Sequence, residues 1–188
     1  MKYKIVSKER IFNGFLKIDE FTINHDSFNA GSIEKSIEVL NKGDACAALI
    51  FERDTRNLLF INQFRLPTAE KDKGWIIELV AGSVEENEDP AHTMLREIEE
   101  EIGYRIKSTE PIAMFYVSPG WTSERIFLFY AETESTEKIQ PGGGKKEEGE
   151  DIQLIKFPAD EITKMIPEII DAKTLIAVQW FLLNKNMI

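Results

Sequence analysis

The chain reads as an α+β domain, and three observations carry that reading. Short apolar runs of strand length recur between residues 45 and 157, separated by polar turns. The first forty residues instead alternate apolar and polar positions, the mark of antiparallel hairpin strands. Two segments of helical period, residues 90–102 and 173–184, lie between and after those runs.

With 188 residues, 43% hydrophobic and 10% aromatic, the chain can fill one sizeable core. Residues 1–188 are therefore expected to form a single domain, with N-terminal strands over 1–44 and the main core over 45–188. The 23 basic residues against 33 acidic ones leave a net charge of −10, which repels phosphate backbones and anionic lipid. Nucleic acid is excluded as a bulk partner, while a small anionic substrate handled through a metal is not. Cys46 is the sole cysteine, set among apolar residues, and reads as core. The opening MKYKIVSKER has no apolar signal region, and LIAVQWFLL near the end is too short for a membrane span. A cytoplasmic protein without a membrane partner is expected.

Along the chain, FLKIDEFTINHDSF and SIEKSIEVL are hairpin strands joined by turn material at Asn29-Ala30-Gly31. Residues 45–51 and 58–64 form two central strands around the turn ERDTRN, and Arg65 stands at the end of the second. Residues 75–80, WIIELV, form a third strand. Its Glu78 lies among apolar residues, where an unpaired carboxylate is unfavourable, so a structural pairing is expected, with a substrate contact as the alternative. Strands follow at 112–117, 126–131 and 152–157. The segment PGGGKKEEGED is too glycine-rich and charged for a regular element and is expected to be a mobile loop. Helices at 160–166 and 173–184 close the chain, the second with a stripe of Leu175, Val178, Phe181 and Leu182. Lys173 reads as a solvated cap, with a substrate contact as the alternative.

The most informative stretch is GSVEENEDPAHTMLREIEEEIGY, residues 82–104. Asp89 suits the N-cap, Pro90 the first helical position and Gly103 a left-handed C-cap, which predicts a helix over 90–102. Ala91, Leu95, Ile98 and Ile102 share the buried stripe. Glu97, Glu100 and Glu101 lie roughly opposite at i, i+3 and i+4, with Arg96 beside Glu100. Like charges so spaced disfavour an isolated helix by roughly 0.2–0.5 kcal/mol per pair. Either the face is simply solvated, or hard carboxylate oxygens converge there on a divalent cation.

These residues resemble the signature of the Nudix hydrolases, G-x5-E-x7-R-E-U-x-E-E-x-G-U with U aliphatic. Gly82, Glu88, Arg96, Glu97, Ile98, Glu100, Glu101 and Gly103 all fall in register, and only Tyr104 departs, at an aliphatic position. The resemblance implies a mixed β-sheet sandwiched between helices, with the N-terminal antiparallel sheet before it. It also implies Mg²⁺, or Mn²⁺, held by Glu97, Glu100, Glu101 and the Ala81 carbonyl, with Arg96 orienting the carboxylates and Glu88 supporting the loop–helix junction. Pro119, sixteen positions past Gly103, and the run Ser118–Arg125, SPGWTSER, are similar to the ADP-ribose pyrophosphatase branch. That branch implies diphosphate contact by Arg65, sugar contact by Glu124 and a substrate loop at Gly82. It further implies a general base at Glu148, with Glu124 the alternative, and an extra metal ligand at Glu150. The implied activity is hydrolysis of a nucleoside diphosphate-sugar, ADP-ribose first, with GDP-mannose or a UDP-sugar next. A homodimer built on the N-terminal strands is implied as well. The competing class, a non-catalytic nucleotide-sugar sensor, would be expected to have lost signature carboxylates, and none is missing.

Overall fold

The computed structural model describes residues 1–185, apart from the side chain of Glu148. The chain divides into two units: Met1–Asp44 with Phe115–Arg125, and Ala45–Met114 with residues 126–185.

The first unit is a three-stranded antiparallel sheet of β1 (Tyr3–Asn13), β2 (Lys17–Asp26) and β3 (Ser32–Leu40), in that order. The β2–β3 hairpin turns where the sequence predicts: Ala30 and Gly31 both take positive φ, and Ser27 N–H donates to the Gly31 carbonyl at 3.0 Å. Asp19 is fully buried and takes Arg10, Lys8 (3.1 Å) and Asn41 (2.7 Å). Hydrogen bonds from Arg10 foremost hold its carboxyl far below the usual carboxylate range, against burial. Residues 115–125, counted with the 45–188 core in the sequence reading, cluster here because their backbone is tied to the end of β3. Leu40 N–H donates to Trp121 O at 2.8 Å, and Ser123 N–H to Leu40 O at 3.1 Å.

The second unit is built on a seven-stranded mixed sheet. Its elements in chain order, with the last two residues of β8 and the first of β9 counted in the first unit, are β4 (Ala45–Glu52), β5 (Asn57–Phe64), α1 (Leu66–Ala69), β6 (Trp75–Glu78), β7 (Val80–Ser83), α2 (Pro90–Ile102), β8 (Glu110–Tyr116), β9 (Arg125–Thr133), β10 (Gln153–Pro158), α3 (Ile162–Met165) and α4 (Ala172–Asn184). The strand order is β10-β5-β4-β9-β8, with β6 on β5 and β7 on β4. The pair β4/β9 is parallel, whereas β4/β5, β5/β10, β5/β6 and β4/β7 are antiparallel.

Strand period 2 sends alternate residues to opposite faces. Cys46, Ala48, Ile50, Leu59 and Ile61 pack with Met94, Ile98 and Ile102 of α2. Phe51 and Tyr130, on the other face, meet Phe181 of α4 at ring separations of 5.8 and 6.1 Å. Helices thus cover both faces of this sheet, which is why β4 and β5 read as unbroken apolar runs rather than alternating ones.

The predicted strand 75–80 is in fact two. It breaks at Leu79, whose N–H donates to Thr174 Oγ1 at 3.0 Å instead of to a strand, and the chain passes there from pairing with β5 to pairing with β7's partner β4. The predicted helix 160–166 is reduced to α3 between two 3₁₀ turns. The glycine-rich loop also departs from expectation. Gly143 N–H caps the Glu101 carbonyl at 2.8 Å, Gly144 N–H reaches Glu100 O at 3.4 Å, and Lys146–Glu148 forms a 3₁₀ turn. The free carbonyls at the end of α2 supply a partner that composition could not reveal.

Candidate active site

Helix α2 has the bounds its sequence signals demand. Asp89 accepts from Ala91 N–H (2.8 Å) and His92 N–H (3.3 Å), and Gly103 takes φ 79° while its N–H returns to Glu99 O at 3.1 Å. The buried arc is wider than the predicted stripe. Met94, Ile98 and Ile102 are fully buried, Ala91 and Leu95 only partly, and Glu101 is buried beside them. Glu101 therefore does not share the open face assigned to it, because it projects toward β7 and meets the Ala81 N–H at 3.3 Å.

Around this point the second unit gathers most of the residues singled out from sequence. Glu97 is half-buried against Gly82 so tightly that a Cβ on Gly82 would lie 2.3 Å from its carboxyl carbon. Arg96 Nη1 spans Glu97 Oε1 (2.8 Å) and Glu100 Oε2 (3.0 Å), and its Nη2 lies 3.8 Å from Glu88, which also accepts from Glu85 N–H at 3.4 Å. The sequence reading missed Lys145, which stands 3.0 Å from Glu100 Oε2. Its position in a basic pair just before EEGED was the available signal. Glu150 accepts from Lys145 N–H at 2.7 Å, and its charge reaches Glu101.

Electrostatics set Glu101 apart. Burial above all, then the charge of Glu97, pushes its carboxyl up to about 9, opposed by the Ala81 N–H and the positive charge of Arg65. Burial likewise raises Glu97. Among the described residues, no three His, Cys, Asp or Glu side chains already converge closely enough to hold a metal ion. Arginine and lysine meet the outer carboxylates instead. The donor set still fits a hard divalent cation: carboxylate oxygens on one helix face, a buried carboxylate that favours either a proton or a metal, and a glycine that leaves the space open.

Arg65 follows β5 and donates from Nε to Glu78 Oε1 at 2.6 Å. Glu78 is paired, as its apolar setting required, and its second oxygen takes Lys173 Nζ at 2.6 Å. The solvated-cap reading of Lys173 is thus overturned, since its side chain is only 11% exposed and also meets Asp171 at 3.0 Å. Glu124 belongs to the first unit, where it pairs with Lys42 at 2.9 Å. The side chain of Glu148 lies outside the described residues.

Tyr104, the one departure from the signature, is fully buried and donates to Glu52 Oε1 at 2.7 Å. Trp75 is exposed and packs against Phe64 at 4.9 Å between ring centres. Among the described residues, no helix is long and apolar enough to cross a membrane.

Residues 41–178 match the NUDIX domain. The chain is 31% identical over 185 residues to the ADP-ribose pyrophosphatase of Escherichia coli strain K12, covering 96% of this chain and 88% of that protein. It is 30% identical over 184 residues to the GDP-mannose pyrophosphatase of Yersinia enterocolitica, covering 96% and 95%. A crystal structure of an ADP compounds hydrolase shares the fold with a TM-score of 0.73 at 14% identity, over 100% of this chain and 98% of that one. With the family domain spanning most of its length and every signature carboxylate present, the chain belongs to the Nudix family of hydrolases, enzymes that act on acid anhydrides.

Proposed function

We propose that this enzyme hydrolyses the diphosphate bond of a nucleoside diphosphate-sugar with Mg²⁺, ADP-ribose being the first substrate and GDP-mannose or a UDP-sugar the next. The products are a nucleoside monophosphate and a sugar phosphate. One observation carries the reading. A guanidinium, Arg65, lies within electrostatic reach of the buried carboxylate Glu101, and among the described residues its two terminal nitrogens have no partner. A fork of that shape matches a diphosphate. The names borne by the two relatives point to the same class of substrate.

Glu97, Glu100, Glu101 and the Ala81 carbonyl, joined by Glu150, are the groups that would hold the divalent ion, with Mn²⁺ the alternative. When bound, such an ion neutralises the diphosphate and makes an attacking water more acidic. Arg96 keeps Glu97 and Glu100 turned to one side. Gly82 leaves room for Glu97 and for the substrate loop. Arg65 meets charge building on the phosphoryl oxygens. Glu148 is assigned as the base that accepts the water proton, its 3₁₀ turn bracketed by Lys145, paired with Glu100, and by Glu150. Glu124 is assigned to the sugar and is the alternative base.

The test is product release from ADP-ribose, GDP-mannose, UDP-glucose and dATP, with Mg²⁺ and with chelator, for the wild type and Glu101→Gln. Metal-dependent cleavage of one diphosphate sugar, lost in the variant, is the expected result. Silence across the panel, with a nucleotide sugar still raising Tm, would leave a sensor instead. Comparing Glu148→Gln with Glu124→Gln assigns the base, since only the base variant should collapse kcat.

The reading extends to a homodimer through residues 1–44. Every residue of β1 is exposed, and Tyr3, Phe12, Phe15 and Phe28 present large apolar surfaces that a second copy would cover. A monomeric mass at micromolar concentration would overturn it. A cytoplasmic site of action accords with the single free, buried Cys46.

A further inference from the structure

We infer that Lys173 is a positioning residue for the diphosphate-binding guanidinium: it fixes Glu78, and Glu78 in turn aims Arg65. The inference rests on the assignment of Arg65 to the diphosphate made above.

Glu78 ends β6 with a side chain only 5% exposed, so its charge is strongly disfavoured unless both oxygens are met. Each oxygen has its own cation. Oε1 takes Arg65 Nε and Oε2 takes Lys173 Nζ, each at 2.6 Å. Asp171 Oδ1, 3.0 Å from Lys173 Nζ, completes a set of two anions and two cations with no net charge.

The set is anchored at the first turn of α4. Asp171 is the N-cap, and its Oδ2 accepts from Thr174 N–H at 3.0 Å and from Thr174 Oγ1 at 2.5 Å. Thr174 Oγ1 in turn accepts from Leu79 N–H, the residue directly after Glu78. The same helical turn therefore grips the backbone at the β6–β7 break and the side chain of Glu78 beside it. Lys173 is too enclosed to serve as a mobile substrate clamp, whereas the Arg65 side chain is 41% exposed.

The chemistry of the arginine gives this a consequence. With Nε committed to Glu78, the planar guanidinium is oriented before substrate arrives and less freedom is lost on binding. If Lys173 is removed, Glu78 Oε2 has no donor. A terminal nitrogen of Arg65 itself is a ready replacement, because a carboxylate readily accepts a guanidinium bidentately. Arg65 would then be turned toward Glu78 and one nitrogen withdrawn from the diphosphate.

The experiment compares Lys173→Met and Lys173→Arg in wild-type and Arg65→Ala backgrounds, reading kcat and KM for the nucleotide sugar, Tm, and the NMR resonance of the Arg65 Nε–H, assigned by its loss in Arg65→Lys. Lys173→Met should lower kcat/KM about tenfold or more, mainly through KM, on the scale seen when an outer supporting group is lost. Lys173→Arg should restore most of it. In the Arg65→Ala background the kinetic effect should vanish, although any loss of Tm remains. An equal kinetic loss in both backgrounds would overturn the inference in favour of a structural or direct substrate role. An Arg65 Nε–H resonance unchanged by Lys173→Met would overturn it as well. That last reading needs no turnover, so it decides the positioning even if every nucleotide sugar proves not to be a substrate.

Discussion

The Tyr104 hydroxyl donates to Glu52 Oε1 at 2.7 Å, with both residues fully buried. Glu52 closes β4 at the edge of the core and also takes Thr55 Oγ1 and Lys156 Nζ, both at 2.6 Å. An aliphatic side chain, usual at position 104 of the signature, would remove one donor from a buried carboxylate. The departure and the buried acid explain each other.

Tyr104→Phe should therefore destabilise the protein by about 1–3 kcal/mol, the range for stripping a partner from a buried polar group. Lys156→Met should do more, toward about 3 kcal/mol, because it removes the counter-charge itself. Urea unfolding measures both. The double variant should lose less than the sum of the two, since both changes act on one carboxylate.

Acid should expose the same cluster. Burial pushes Glu52 up, but hydrogen bonds from Lys156, Thr55 and Tyr104 outweigh it and hold the carboxyl below its ordinary value. Its contribution to stability is thus present above the ordinary carboxylate range and fades as pH falls through the lowered value. Lys156, raised by hydrogen bonds to Glu52 and Tyr104 against burial, contributes until pH climbs through its raised value. The stability gap between wild type and Glu52→Gln should be widest at about pH 6–9 and shrink below about pH 4. A gap that stays constant into acid would contradict the assignment.

Gly82→Ala tests the space around Glu97. The added methyl would sit 2.3 Å from the Glu97 carboxyl carbon, so the side chain must move, while the φ of Gly82 imposes no left-handed strain. Activity should fall roughly 10²-fold, as for a displacement of about 1 Å at reacting groups. Thermal unfolding should change little by comparison. A variant of full activity would mean that Glu97 does not need its present place.

Cys46 should resist alkylation. Burial foremost pushes its thiol up to about 12, leaving almost no thiolate at neutral pH. A thiol reagent at pH 8 should label the protein only once urea unfolds it, and rapid labelling of the native state would show that β4 opens.

Local signals made α2 legible. Asp89, Pro90 and Gly103 act within a turn of themselves, and the spacing of Glu97, Glu100 and Glu101 is a property of any helix placed there. The apolar runs likewise announced β4 and β5, because burial on both faces leaves no polar position to hide them. The candidate site, hard oxygens near a guanidinium, was drawn from the resemblance of these residues to the Nudix signature, since spacing alone left a solvated acidic face equally open.

What the linear order could not carry is which groups meet across long separations. Glu78 needed a cation, but the choice of Arg65 and Lys173, the latter 95 residues away, belongs to the packing of α4 against the β6–β7 break. Glu101 looked like its neighbours until β7 closed over it and set its charge apart. The glycine run looked structureless until the carbonyls at the end of α2 offered it partners. Helical periodicity and capping are short-range and so are written in the chain itself. The desolvation and pairing of a charge depend on everything that folds around it, and only the assembled sheet and helices determine those.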